Sequence, residues 1–401
     1  MSKNTLSAGN SVFGQLISML PRSAINRVIK EQQSDRYTKK FKTWDHLTVM
    51  LFGALSNCSS LREIESGIAG FSTKLLHLGL GCLPKRSTLS DSNNNRPASV
   101  FEAIFKAAYH QLQPLLPDSC PNNQKWMQKL FLVDSTTITL FKQIMKACGR
   151  KPANGKRKGG VKIHVGMQLS EGTPSLVRIT SAATNDKTFM SRFKDVNPQT
   201  ILVFDKAYLN YNLYNYWTER EVTFVTRLHG RSVVEVLEDM EVSAEEQKQG
   251  VQQAQIIYLG HANQQEKVKC RLITLYNQEK EQTLKFITND FKFKPSEIAS
   301  IYKQRWQIEL LFKRLKQNLQ LSDFIGDNEN AIRIQIWCNL IADLLLSVSR
   351  KGLKKAYSNV ASLVRIHLMN YARVKELLRN SGDPSIFNTT KQRNFQPLNS
   401  S

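Results

Sequence analysis

Residues 302–316 read YKQRWQIELLFKRLK, and the spacing of the polar side chains in that string decides how the rest of the chain is organised. At about 100° per residue, a helix places Tyr302, Arg305, Glu309 and Lys316 within about 60° of one another. One stripe then carries a phenol, two cations and one acid. Trp306, Ile308, Leu311, Phe312 and Leu315 fall on its flanks or far side and are assigned to packing, so the expectation is a single packed helix with one wet face. Such a face suits an anion. An acid facing an anion needs a divalent metal between them, which binds the carboxylate oxygens while the cations take phosphate oxygens.

One Glu cannot hold a catalytic metal alone, and the chain offers two further acids at the ends of apolar runs. Phe131-Leu132-Val133 leads into Asp134, and Ile201-Leu202-Val203-Phe204 leads into Asp205. Short runs of this kind read as buried strands, and each ends in a charge that a core does not accept unpaired. A buried ion pair with Arg305 or Lys316 would satisfy either Asp singly. Three converging acids would repel one another and need a metal to neutralise them. The donors are all oxygens, with no His or Cys among them, which suits Mg²⁺ or Mn²⁺ rather than zinc.

The Y-x2-R-x3-E-x6-K spacing, met at Tyr302, Arg305, Glu309 and Lys316, resembles the signature of bacterial insertion-sequence transposases of the D-D-E class. The segment from Phe131 to Thr136 resembles the surroundings of that family's first acid, and Val203 to Tyr208 those of the second. Phe286-Ile287-Thr288-Asn289 is similar to the strand that leads back from the family's insertion to the third acid. The resemblance implies an α/β chain with a ribonuclease H-like catalytic core in 125–227 and 291–350, interrupted by a β-rich insertion in 228–290. A helical N-terminal DNA-binding domain, 1–115, would precede the core, and a C-terminal helix and disordered tail, 351–401, would follow it. It further implies two Mg²⁺ ions, or Mn²⁺, on Asp134, Asp205 and Glu309, with Tyr302, Arg305 and Lys316 on DNA. The implied activity is metal-dependent strand cleavage and strand transfer in cut-and-paste transposition. The implied partners are terminal inverted repeats, target DNA and a second copy of the chain in the paired-end complex, with a cytoplasmic, nucleoid-associated location. A nuclease or junction resolvase would use the same acids without joining ends. A silent DNA-binding derivative would lack an acid or a signature cation, and none is missing. A haloacid dehalogenase-type phosphatase needs an Asp two residues after its first, where this chain has Thr136.

Composition points the same way independently. The chain has 401 residues, enough for two or three domains, and a formal net charge of +23 with a pI near 9.8. So much positive charge implies a polyanionic partner. Lys142, Lys146, Arg150, Lys151, Lys156, Arg157, Lys158 and Lys162 follow one another with no acid between them, and Gly149, Gly155, Gly159 and Gly160 read as a mobile loop that grips phosphates. Cys58, Cys82, Cys120, Cys148, Cys270 and Cys338 show no paired spacing, as expected of free thiols in a reducing cytosol. The N-terminus is polar, and the longest apolar stretch, 336–348, is too short to span a bilayer, so no membrane association is expected.

Helical periodicity marks 44–56, 61–68 and 101–112, with a short helix opening at Lys85-Arg86-Ser87. The amides Asn93, Asn94 and Asn95 and the cation Arg96 are donors suited to base edges in a DNA groove. Arg36, Tyr37, Lys39, Lys40, Phe41 and Lys42 form a second basic patch. The acids from Glu235 to Glu246 read as a solvated face, Asp186 as a helix cap and His164 as a core histidine. Helices are expected over 331–346, with Arg333 and Gln335 on the polar side, and over 364–378.

Overall fold

The computed structural model describes residues 10–71, 78–118, 125–139, 149–150, 158–182, 184, 187–208, 210–230, 232–260, 267–321 and 324–380. Cys120, Cys148, Asn185, Asp186, Lys142, Lys146, Lys151, Gly155, Lys156, Arg157 and the tail beyond Asn380 lie outside the described residues. The chain forms two compact units, one of residues 1–117, 314–326 and 330–401, the other of 118–313 and 327–329. The first therefore draws in C-terminal segments that the sequence reading divides between the core and a separate tail.

In the first unit the helices are α1 (Val12–Ser18), α2 (Arg22–Glu31), α3 (Thr43–Ser56), α4 (Leu61–Ala69), α5 (Arg86–Asn95) and α6 (Ala98–Leu112). Local chemistry sets their starts. Ser60 Oγ accepts from Glu63 N at 3.2 Å, and the Glu63 carboxylate accepts in return from Ser59 N at 2.7 Å, a reciprocal cap for α4. Asn93 and Arg96 are not groove donors. Asn93 is 3% and Arg96 7% exposed, and both are spent on His46. Arg96 Nη1 donates to His46 Nδ1 at 3.0 Å, which leaves His46 Nε2 to donate to Asn93 Oδ1 at 2.9 Å. Burial, then the charge of Arg96, pushes the His46 pKa down to about 3, so the ring is neutral and the network is structural.

The second unit is built on ten strands in one sheet among the described residues: β1 (Leu130–Thr139), β2 (Gly149–Arg150), β3 (Lys158–Gln168), β4 (Pro174–Ser181), β5 (Ile201–Phe204), β6 (Thr223–Arg227), β7 (Val234–Met240), β8 (Val251–Leu259), β9 (Val268–Asn277) and β10 (Gln282–Thr288). β1, β3 and β4 pair antiparallel in series, while β1, β5 and β6 are mutually parallel neighbours. Gly166 of β3 is required where the Phe131 ring crosses it, since a Cβ there would lie 2.6 Å from that ring. Helix α7 (Tyr211–Glu219) buries Leu213, Tyr214 and Trp217 in a core shared with Phe204, Phe224, Phe189 and Phe193.

The stretch 228–290, expected as a β-rich insertion, carries β7 to β10, and these prolong the same sheet. β10 pairs antiparallel with β6, and β9, β8 and β7 follow outward. The acids of β7 are exposed as expected, but Glu246, in the short helix α8 (Ala244–Lys248), is 6% exposed. From β10 the chain enters α9 (Pro295–Lys303) and α10 (Trp306–Asn318). The continuous signature helix expected from 302 onward is thus broken. Arg305 N bonds Tyr302 O at 3.0 Å and Ile308 N bonds Arg305 O at 3.1 Å, three-residue spacings that overwind the chain between the two helices.

In the first unit's C-terminal part, α11 (Glu329–Ser349) is long and apolar enough to cross a membrane, yet its most apolar window is 94% buried in the protein, as a core helix would be. Gln335, expected on a polar face, is 5% exposed, and its Oε1 accepts from Ile325 N at 2.9 Å. The helix expected over 364–378 is two, α12 (Tyr357–Ile366) and α13 (Val374–Asn380). The residues between them serve α1, whose Val12 N and Phe13 N bond the carbonyls of Asn370 and Leu368 at 2.9 and 2.7 Å. Arg314 closes on Asp343 at 2.7 Å with the acid side chain fully buried, a pair whose breaking costs about 3–5 kcal/mol.

Asn289, just past β10, ties three elements. Its Oδ1 accepts from Phe224 N at 2.8 Å, and its Nδ2 donates to Thr218 Oγ1 and Val222 O, both at 2.9 Å. Asn289→Ala is expected to cost about 2–3 kcal/mol in urea unfolding, because it strands buried backbone groups. A loss below about 0.5 kcal/mol would remove Asn289 as a staple.

Candidate active site

The sheet register brings the two strand acids together. In the parallel β1–β5 pair, Val133 stands beside Phe204, so Asp134 and Asp205 follow side by side where β5 ends. Neighbouring strands lie about 4.8 Å apart. Asp134 does not end its strand as the sequence reading expects: β1 runs on to Thr139, with Asp134 opposite Val165 of β3. Alternation along β1 turns Asp134 to the face opposite Val133, which belongs to the core, and so keeps the acid out of that core.

Arg305 joins Asp134 to Glu309. Its Nη1 donates to Asp134 Oδ2 at 2.5 Å and its Nη2 donates to Glu309 Oε1, and the three side chains are only 18%, 15% and 34% exposed respectively. Tyr302 lies against the same guanidinium, its ring centroid 5.8 Å from Arg305 Cζ. Tyr302, Arg305 and Glu309 thus meet across the helix break. Lys316 lies two turns beyond Glu309 on α10, half-buried and within the part of the chain that belongs to the first unit.

The electrostatics reflect this crowding. Burial pushes the Asp134 carboxyl up to about 6; Arg305 and the Ser135 N–H oppose the rise, and the charges of Asp205 and Glu309 add to it. Burial also raises the Tyr302 phenol to about 12, with Arg305 opposing and Asp205 adding. For Arg305, burial works against the charge, but Asp134, Tyr302 and Glu309 outweigh it and hold the guanidinium above its ordinary value. Asp205 anchors its own turn, with Oδ1 accepting from Ala207 N at 3.0 Å.

The donor set suits a hard divalent cation: three carboxylates, no His and no Cys. Among the described residues no three acid, His or Cys side chains already stand close enough to ligate one ion. Two of them do converge on a single positive charge, that of Arg305.

Several contributors escape a reading of the sequence. Arg227, at the end of β6, acts electrostatically on Tyr302 and brings a further cation to the site. Glu246 accepts from Ser296 N and Ser296 Oγ, both at 2.7 Å, and so fixes the start of α9 from within the insertion. Trp306, assigned to packing, is 55% exposed at the start of α10. His164 is fully buried, bonded to Thr180 Oγ1 at 3.0 Å and packed on Phe189, as expected of a core histidine.

The Transposase DDE domain family matches residues 125–345, and a domain of unknown function, DUF4372, matches residues 8–81. Over 270 residues the chain is 30% identical to a putative transposase of Sinorhizobium fredii, covering 67% of this chain and 72% of that one. Over 264 residues it is 26% identical to a putative transposase for an insertion sequence element of Synechocystis sp., covering 65% of this chain and 71% of that one. A cryo-EM structure of a piggyBac transposase synaptic complex with hairpin DNA aligns over 97% of this chain and 85% of that chain, with a TM-score of 0.40 and 9% identity.

A cation held by Asp134 would compete with its proton. Below about pH 6 the carboxyl holds a proton that a bound cation must expel, so Mn²⁺ affinity is expected to fall as pH drops through that value and to level off above it. Calorimetric titrations at about pH 5 and about pH 7.5 that gave the same affinity would contradict this assignment.

Proposed function

Since the chain belongs to the Transposase DDE domain family and is a DNA transposase, we propose that it binds the ends of an insertion sequence and carries out cut-and-paste strand cleavage and strand transfer at Asp134, Asp205 and Glu309. The observation that supports this reading is the pair of relations centred on Asp134: it lies beside Asp205 through the β1–β5 register and shares one guanidinium with Glu309. The strand order β4-β3-β1-β5-β6, antiparallel then parallel, with acids on its first and fourth strands, supports a ribonuclease H-like core.

In this reading Asp134, Asp205 and Glu309 hold two Mg²⁺ ions, or Mn²⁺. When bound, the ions activate the attacking oxygen and stabilise the leaving 3′ oxygen of an in-line displacement. The chain's own groups do the rest. The burial of Asp134 lowers the local dielectric, which strengthens its hold on any cation it binds. Tyr302 keeps its proton at all physiological pH values and so donates to, or packs against, a phosphate near the cut. Arg305 and Lys316 hold phosphates of the transferred strand, and Arg227 adds positive charge on the same side as Tyr302.

The helical N-terminal segment is the proposed end-binding domain. Its exposed cations Arg36, Lys39, Lys40 and Lys42, with Tyr37 89% exposed among them, and the exposed Lys85, Arg86, Asn94 and Asn95 of the α5 region supply donors for phosphates and base edges. Joining two ends calls for a second copy of the chain and for a cytoplasmic location at the nucleoid.

Asp134→Ala, Asp205→Ala and Glu309→Gln are each expected to lower strand cleavage by at least about 10³-fold while leaving end binding within about threefold, as for transition-state groups. Cleavage retained in any one of them removes that residue from the site. Lys316→Ala is expected to reduce the slope of log affinity against log salt by about one. An unchanged slope would make Lys316 structural. Incubation of the wild-type protein with terminal repeats and Mg²⁺ distinguishes a transposase from a nuclease by whether joined products appear.

A further inference from the structure

Arg305 is placed where its expected task and its observed contacts conflict. A guanidinium that grips a phosphate does so through its fork of N–H groups. Here Nη1 is committed to Asp134 and Nη2 to Glu309, and the side chain is 18% exposed. Its Nε has no hydrogen-bond partner among the described residues. The fork is closed to DNA while it bridges the acids.

The charge balance tells the same story. Asp134 and Glu309 carry two negative charges against one guanidinium, and Asp205 acts on Asp134 as a third. One monovalent cation leaves this cluster short of positive charge. A dication competes well for the same carboxylates, because it offers twice the charge in a smaller radius.

We propose that Arg305 is a placeholder cation: it holds Asp134 and Glu309 together in the metal-free protein, and divalent metal must displace it before its guanidinium can turn to a DNA phosphate. The inference rests on the metal-dependent reading above and adds an order of events to it. Metal loading opens the fork and phosphate binding keeps it open, so each ligand tightens the other by the same factor. The position of Arg305 allows the movement, since it lies between α9 and α10 and not inside either helix. In the metal-free protein the acids stay paired and DNA meets a site without its clamp.

The test uses the full chain without DNA, then with it. Mn²⁺ affinity is measured by calorimetry for wild type, Arg305→Ala and Arg305→Lys, with circular dichroism to check folding. If the guanidinium competes with metal, Arg305→Ala binds Mn²⁺ about 5–150-fold more tightly than wild type, the usual range of such couplings, and Mn²⁺ raises its melting temperature by more than it raises that of wild type. Arg305→Lys, which keeps the charge but not the bridge, falls between the two and decides the matter if the Ala variant does not fold. With Ca²⁺ in place of Mg²⁺ and a duplex of one element end, metal tightens DNA binding by wild type, and this coupling is lost in Arg305→Ala. Equal or weaker Mn²⁺ binding by the folded variants overturns the placeholder and leaves the metal-dependent reading standing. Wild type that binds no Mn²⁺ overturns both.

Discussion

Two carboxylates held side by side at the end of a parallel strand pair, one of them sharing a guanidinium with Glu309, are the constraint around which the second unit is arranged. The β1–β5 register forces Asp134 and Asp205 into adjacency, and no side-chain rotation separates their backbones. Keeping Asp134 ionised at neutral pH costs about 3 kcal/mol relative to water, from the rise of its pKa to about 6. A fold with a total stability of about 5–15 kcal/mol feels such a term. That cost remains after Arg305 has opposed the rise, and the guanidinium, only 18% exposed between Asp134 and Glu309, keeps it from being larger.

The insertion serves this arrangement more directly than its position in the sequence suggests. By extending the sheet through β10, β9, β8 and β7 it needs no core of its own, and Ile257, Leu259, Val268 and Cys270 join the aromatic cluster under β5 and β6. It then returns the chain beside β6, where Asn289 fixes the exit, and Glu246 fixes the first turn of α9. Two polar side chains far apart in the sequence thus determine where Tyr302, Arg305 and Glu309 begin. The exposed acids of β7 fit the same logic, since a charged edge strand discourages further pairing.

The strands and their acids were legible because a short apolar run ending in a carboxylate is a local pattern, and a buried strand with a polar end is the arrangement that most readily produces it. Asp134 and Asp205 could be placed on neighbouring strands for that reason, Glu309 was picked out by its helical spacing from Arg305, and residues 228–290 showed as successive β-rich runs. What escaped depends on distant partners or on local winding. Asn93 and Arg96 look like DNA donors until His46, far away in the sequence, claims both. The break at Arg305 is invisible to a 3.6-residue period, which is equally well met by a continuous helix. Trp306 looked like packing for the same reason, because its flank position assumes a helix that in fact begins only at Trp306 itself. The grouping of 330–401 with the N-terminal helices follows from long-range pairs such as Val12 with Asn370.

The break between α9 and α10 also changes the surroundings of the Arg305–Glu309 pair. On a continuous helix, Arg305 and Glu309 at i and i+4 would form an ordinary surface pair of little strength. Overwinding through the Arg305 N–H to Tyr302 O bond sets Tyr302 and Arg305 one tight turn apart, and from the break between the helices the guanidinium reaches a strand residue 171 positions away. A local pair thereby becomes a tertiary contact shielded from water. Its strength depends on that shielding, so any ligand that admits water or a competing cation weakens it at once. The contact is therefore strong where water is kept away and weaker wherever it enters.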